Sequence, residues 1–405
     1  EIAQCLVGSE MCIRDRFYYN EFGCITSKCK DNCCIGGWEI DIDDETYERY
    51  NNMTGELKHK ILDSITQNED EEYCFKLCDG KCPMLDDNGL CEIHKNLGED
   101  YLGVVCKQFP RYSEYYGTIK ESGIGLACEE AARIILSENR PFSMETAACD
   151  EEYEPSSEYD SSFALQIFAA REAVFKILAK ESLSIHEKLI VILDMGSKIQ
   201  QCINTDEYDN IKSVVNDYLK EGIAHTLDET RNLSDSGQFE DISLQQGIRQ
   251  ILYPYEEMEV LNPEWEVILK DIIDSLFEQM SDEEYNILNE EFGTYMVSRA
   301  YEYRQLLEYL VFRYFAKSIY DYDFLGKCQM LVTNFFVIRQ MDIIRWLDNH
   351  REYSFKDRMD VVHIFSRQVE YSEDNIENLY EDFIFDDIFK TDSLIAILWI
   401  DSENI

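Results

Sequence analysis

The sequence predicts a mainly α-helical protein, with a Cys-rich metal-binding N-terminal domain followed by a multi-helix C-terminal domain. Three observations predict it. Cysteines crowd the first third of the chain; long later segments carry apolar residues at helical spacing; and 405 residues include only six prolines, with no regularly alternating strand pattern.

Taken in order, residues 1–16 stand apart. "CLVGSEMCIRDR" (5–16) resembles a translated sequencing-adapter read, so Cys5 and Cys12 are excluded from the metal reading. Residues 17–145 form the Cys-rich domain. Of the thirteen cysteines that remain, ten lie between Cys24 and Cys128; Cys149, Cys202 and Cys328 are singletons read as small buried core residues. An acidic, Ser-rich stretch with Pro155 (146–162) is read as a linker.

Residues 163–405 read as helix after helix. In 163–180, Phe163, Ile167, Ala170, Val174 and Leu178 fall on one stripe. Residues 186–203 follow with similar density. Residues 296–320 and 323–347 are expected to pack as an antiparallel pair across a short "YDY" joint. Residues 226–241 are a loop by composition.

Charge limits the partners. Eighty-two acidic against 37 basic residues give a formal net charge of −45. Such a surface repels phosphate backbones and anionic lipid, so neither nucleic acid nor membrane is expected as a partner. It attracts a cation-bearing partner such as a Lys-rich protein segment. No apolar run approaches the roughly 20 residues of a membrane span. No basic-then-apolar start is visible, and with reduced thiols this leads to a cytoplasmic expectation.

The cysteines come in tight groups: Cys24, Cys29, Cys33 and Cys34; then Cys74, Cys78 and Cys82; then Cys91, Cys106 and Cys128. A disulfide framework suits small secreted domains, not a large chain with a generous helical core. Short spacings instead let thiolates converge on an ion or cluster at little loop-closure cost. Zinc sites favour C-x2-C pairs, and none is present. Spacings of three and four with a doubled Cys lean towards an iron–sulfur cluster, 4Fe-4S favoured, with zinc the alternative. Gly80 gives the second group freedom to turn. The C-x3-C-x2-C pattern of radical enzymes is missing, since Lys81 stands where its third cysteine would be. No dinucleotide fingerprint, phosphate-binding loop or G-x-S-x-G element occurs.

The order of elements goes further. F-x-C-x4-C-x3-C-C-x3-W-x-I-x-I (22–42), C-x3-C-x3-C-P-x-L (74–85), G-L-C-x-I (89–93), C-K-Q-F-P-R (106–111) and S-G-x-G-L-A-C-E-E-A-A-R (122–133) occur in that order. Together they resemble the flagellin lysine-N-methylase (FliB) family over roughly residues 17–140. The resemblance implies a Cys-rich region linked to an iron–sulfur cluster and related to zinc- or iron-chelating domains. It implies lysine methylation on a flagellin-type protein, with S-adenosylmethionine as donor.

Such chemistry needs a deprotonated ε-amine, whose pKa of about 10.4 leaves it charged at neutral pH. No residue is nominated as the base. Arg111 is the candidate to hold a carboxylate, such as the donor's; the plainer reading is a rigid turn with Arg111 paired to an acidic neighbour. Trp38 reads as a lid over the metal site, His94 as a helix-surface residue, and Glu129 and Glu130 as first-turn helix residues. The competing functions are a non-enzymatic zinc- or iron-binding module, or a redox sensor, whose helical domain docks a partner.

Overall fold

The computed structural model describes residues 11–16, 18–30, 33–35, 40–68, 71–137, 139–140, 142–149, 160–235 and 242–403. The protein is mainly helical, as expected. Its N-terminal part carries α1 (Asp44–Asn52), α2 (Glu56–Asp63), α3 (Glu92–Leu97), α4 (Val104–Gln108) and α5 (Glu129–Leu136). The remainder carries α6 (Ser161–Leu178), α7 (Ile185–Asn204), α8 (Ile211–Asp217), α9 (Ile223–Asp235), α10 (Leu244–Glu256), α11 (Pro263–Ile272), α12 (Asp282–Met296), α13 (Ala300–Tyr314), α14 (Phe324–Asp348), α15 (Phe355–Val369), α16 (Glu373–Phe385) and α17 (Thr391–Glu403).

Short strands join them. A four-stranded sheet runs β4–β5–β1–β6, from β1 (Met11–Arg16), β4 (Arg111–Tyr116), β5 (Ile119–Ile124) and β6 (Met144–Cys149); β2 (Ile65–Gln67) and β3 (Tyr73–Phe75) form a hairpin. β1 lies parallel to β5 and antiparallel to β6. It falls inside the segment set aside by sequence, and backbone pairing is indifferent to side-chain identity. β4 and β5 are joined by Gly117–Thr118, with Gly117 at φ 61° supplying the left-handed turn of a two-residue hairpin. Alternation could not reveal β5, because its inward residues include a carboxylate. Glu121 is buried and takes a bidentate contact from Arg171 of α6, at 2.5 and 2.6 Å.

The helical expectations hold in detail. Phe163, Ile167, Ala170, Val174 and Leu178 are all buried on α6. α13 and α14 are antiparallel: Tyr303 meets Phe335 at 5.3 Å, while Phe315 near the far end of α13 meets Phe324 at 5.3 Å. Cys328 is buried on α14 with its Sγ against Gly196 of α7; Cys202 is half-buried. One reading is corrected. Residues 226–235 belong to α9 rather than to a loop, while 236–241 lie outside the described residues. That helix is fixed by tertiary contacts: Thr230 Oγ1 accepts from Trp399 Nε1 at 3.1 Å, and Thr226 donates to Asp194 at 2.8 Å. Composition could not show them.

Apolar side chains gather in two clusters. The small one contains Ile40, Ile42, Tyr50, Ile61, Phe75, Met84 and Ile93. The large one runs through the C-terminal helices and also takes in Tyr18, Phe22, Tyr116, Ile119, Ile124 and the inner face of α5. Where the chain passes between them, Arg111 donates to the Phe22 carbonyl at 3.1 Å and lies 4.9 Å over the Phe22 ring and 5.6 Å from that of Tyr19. Among the described residues, no helix is long and apolar enough to cross a membrane.

Candidate metal centre

The small cluster is where thiols meet. Asp43 starts the assembly. Its carboxylate accepts from Thr46 N at 2.9 Å, capping α1, and from Val104 N at 3.1 Å, docking the first turn of α4, which carries Cys106. Burial works against its charge, but these hydrogen bonds hold the carboxyl below its usual pKa.

A tight turn presents the next pair. Cys78 and Lys81 exchange backbone hydrogen bonds at 2.8 and 3.0 Å, with Asp79 at φ 50° and Gly80 at φ 72° between them. The turn expected of Gly80 is therefore present. One residue on, Cys82 N donates to Cys34 O at 2.8 Å, which fastens this turn to the first cysteine loop. Asp86 then folds the chain back, its Oδ1 accepting from Asn88 N and Leu90 N at 2.9 and 3.0 Å. Lys95 and these bonds lower its carboxyl to about 2. The turn delivers Cys91 to the N-cap of α3.

The thiols so placed feel one another. Cys34 is raised far above the usual thiol pKa, first by its hydrogen bond with Cys33, then by burial, Cys82 and Cys106. Cys82 is pushed up to about 11 by burial, with Cys91, Cys33 and Cys78 adding to it. Cys106 keeps part of its surface in solvent, yet desolvation of its sulfur, then Cys82, Cys33 and Cys91, push it up to about 12. Tyr50 lies beneath, donating to Tyr101 O at 2.8 Å, its hydroxyl pKa raised by burial and then by Cys106 and Cys91.

A second set meets at the start of α5. Cys128 is its N-cap residue and is pushed up to about 11 by burial, with Cys33 and Cys24 contributing and the Ala131 and Glu130 backbone N–H groups opposing. Glu129 Oε2 accepts from Cys29 Sγ at 3.3 Å and from Lys30 N at 3.0 Å. Thr26 N points at Cys24 Sγ, 3.4 Å away. Cys33 thus borders both sets. Cys74 is buried within β3, with its backbone paired to Thr66 and Asp41.

Ten thiols were expected, and Cys24, Cys29, Cys33, Cys34, Cys78, Cys82, Cys91, Cys106 and Cys128 are seen to interact within these sets. Among the described residues, no three His, Cys, Asp or Glu side chains converge on a point where a single ion would sit. The donor chemistry nevertheless suits a cation: crowded thiols resist ionisation in its absence, and a metal reverses that penalty. A cluster spreads its ligands more widely than one ion does. Trp38 lies outside the described residues, and His94 is exposed, as read from sequence.

Glycine-rich 122–128 joins this region to the helices. A Cβ on Gly125 would lie 3.0 Å from the Tyr371 hydroxyl and 3.2 Å from Arg313 Nη1. Leu126 N approaches Tyr309 Oη at 3.4 Å; Tyr309 and Tyr314 donate to Glu370 Oε2 at 2.9 and 2.8 Å, and Arg313 Nε lies 3.2 Å from the same oxygen. The Arg313 guanidinium sits 4.4 Å over the Tyr112 ring. Burial raises the Tyr309 and Tyr314 hydroxyls well above their usual pKa and Tyr371 to about 12, so all three stay protonated. Sequence reasoning read Glu129 correctly as a first-turn residue but missed its partner, and missed Asp43, Arg313 and Glu370. Asp43 ahead of "DETYERY" is a recognisable N-cap signal; nothing local marks the others.

The family model described as FliB lysine N-methylase C-terminal domain matches residues 171–397. The chain is 30% identical over 135 residues to a protein named lysine-N-methylase from Salmonella typhimurium, covering 32% of this chain and 33% of that protein, and the likeness to its counterpart in Salmonella choleraesuis is the same. A stretch of equal length and identity covers 79% of a Salmonella muenchen protein named flagellar biosynthetic protein FliU. The matched stretch thus spans about a third of the length of the two lysine-N-methylases. No solved structure matches.

Proposed function

Since the chain belongs to the FliB lysine N-methylase family, we propose that it transfers methyl groups to lysine ε-amines of a protein substrate, flagellin being the substrate class that the relatives' names suggest. The observation that carries the reading is the family match over 171–397, which includes the helices α13 and α15 that hold α5 and the glycine-rich segment. The thiol region and the family domain are joined at that point.

S-adenosylmethionine would supply a methyl group on a sulfonium centre. The protein's part would be to present a neutral lysine nitrogen to that methyl carbon, the thioether leaving with the C–S electron pair and the amine proton passing to solvent or a base. Arg111 is the residue this reading assigns to the donor's carboxylate, through N–H groups other than the one on Phe22 O. Cys33, Cys34, Cys82 and Cys106, with Cys91 and Cys78 beside them, would hold an iron–sulfur cluster, and Cys24, Cys29 and Cys128 flank it. A cluster there would supply a Lewis-acidic iron and a crosslink between four loops. Free thiols suit a reducing compartment such as the cytoplasm.

The test is direct. Protein purified without oxygen is incubated with S-adenosylmethionine and flagellin, and flagellin peptides are weighed. Gains of one or more methyl groups on lysine support the reading; unmodified lysines in the presence of a loaded metal centre would remove it and leave a binding module.

A further inference from the structure

α11, α14 and α15 enclose a groove of about 230 Å³ on the helical body. Ile268, Met341, Ile344 and Val361 form its apolar floor, and Asp271 and Asp348 stand exposed on its walls. Arg345 and Asn349 also line it, and each has a partner outside the lining: Arg345 lies 3.8 Å from Asp360, and Asn349 Nδ2 donates to Asp357 at 3.0 Å. Two carboxylates against one guanidinium leave the lining negatively charged on balance.

We propose that this groove seats a lysine side chain of the protein substrate. Sites for drug-sized ligands occupy about 300–1,000 Å³, so this one is too small for a nucleoside donor and suits a single side chain. Lysine matches it end to end. Its methylenes lie on the apolar floor while the ammonium meets Asp271 and Asp348, the division that long basic side chains adopt on mixed surfaces.

Position supports the assignment. Asp360, which draws Arg345 aside, also pairs with Lys356 at 3.9 Å. Lys356 adjoins Lys30, whose backbone N–H is held by Glu129 beside Cys29. One run of residue contacts thus links the groove to the first cysteine loop.

The inference rests on the lysine-methylating reading, and the experiment separates the two. Fluorescent nine-residue peptides, uncharged except for one central lysine or its Nε-acetyl form, are titrated into the full chain and into D271N/D348N. The expected result is tighter binding of the lysine peptide, lost at least ten-fold in D271N/D348N, with the acetyl peptide unchanged. D206N/D209N, in the acidic cleft between α6 and the turn after α7, serves as control and should behave as the parent. Equal binding of both peptides, no binding, an indifferent D271N/D348N, or loss in D206N/D209N instead would overturn the groove assignment. Selective binding without methyl transfer to flagellin would remove the methylase reading and keep the groove; methyl transfer with a KM untouched by D271N/D348N would do the reverse.

Discussion

The Glu129 carboxylate receives the Cys29 thiol at 3.3 Å, across a separation of 100 residues, at the first residue of the helix that Cys128 caps. The same oxygen takes Lys30 N at 3.0 Å, so one side chain closes the first cysteine loop onto α5. Glu129→Ala should free that loop and leave the helices folded. In the reduced, metal-free chain we expect Cys29 to alkylate several-fold faster, read by mass spectrometry, with unchanged far-ultraviolet dichroism. An unaltered rate would mean that the contact does not hold the loop.

The thiol neighbourhood predicts a loading pattern. Iron, acid-labile sulfide and zinc are measured per chain on protein prepared without oxygen. Cys34→Ala, Cys82→Ala and Cys106→Ala should each lower iron and sulfide together, while Cys202→Ser, on α7, should not. Stoichiometric zinc without sulfide in the parent would replace the cluster with a zinc site.

The Arg313–Glu370 pair is buried among tyrosines, with Arg313 Nε 3.2 Å from Glu370 Oε2. Removing one partner leaves an uncompensated charge, so Arg313→Ala should cost about 3–5 kcal/mol in denaturant unfolding. Arg313→Met with Glu370→Leu should recover much of that loss, because neither charge then remains. Equal losses in the single and double variants would show that shape rather than charge matters at this joint.

Acid should weaken the anchoring of the C-terminal helix. Asp401 is buried, with Oδ2 2.6 Å from His186 Nε2 and Arg339 Nε 3.8 Å away. Burial opposes its charge, but Arg339 and His186 prevail and its carboxyl falls to about 2. Its unfolded pKa is near 3.9. The contribution, on the order of 2 kcal/mol, is thus fully present above about pH 4 and disappears as pH falls towards 2. Asp401→Asn should flatten the pH dependence of unfolding across that window. A parent curve already flat there would exclude the linkage.

How far the sequence could carry this picture varied with the range of the interaction. Helices α6, α7, α13 and α14 were legible because their apolar periodicity is local. The turn at Gly80 and the first-turn role of Glu129 were legible for the same reason. β5 was not, since Glu121 inside it is neutralised by Arg171, 50 residues later. α9 was not, because its polar face is held by Trp399 and Asp194. Spacing showed that the cysteines come in tight groups, but their division into two sets around Cys33 depends on backbone pairings such as Cys82 to Cys34, which no spacing encodes. The joint at Gly125 needs Tyr309, Arg313, Glu370 and Tyr371, all far along the chain.

Arg111 and Phe22 have a wider meaning. The stretch between them leaves the helical body and returns to a point one hydrogen bond, 3.1 Å, from where it left. A detour with adjoining ends resembles a page slipped into a bound book. Its local opening would leave the body's own apolar interior in place. Oxidation of the thiols on it would then be a local event, with its own free energy of opening, and the helical body would stay folded through it.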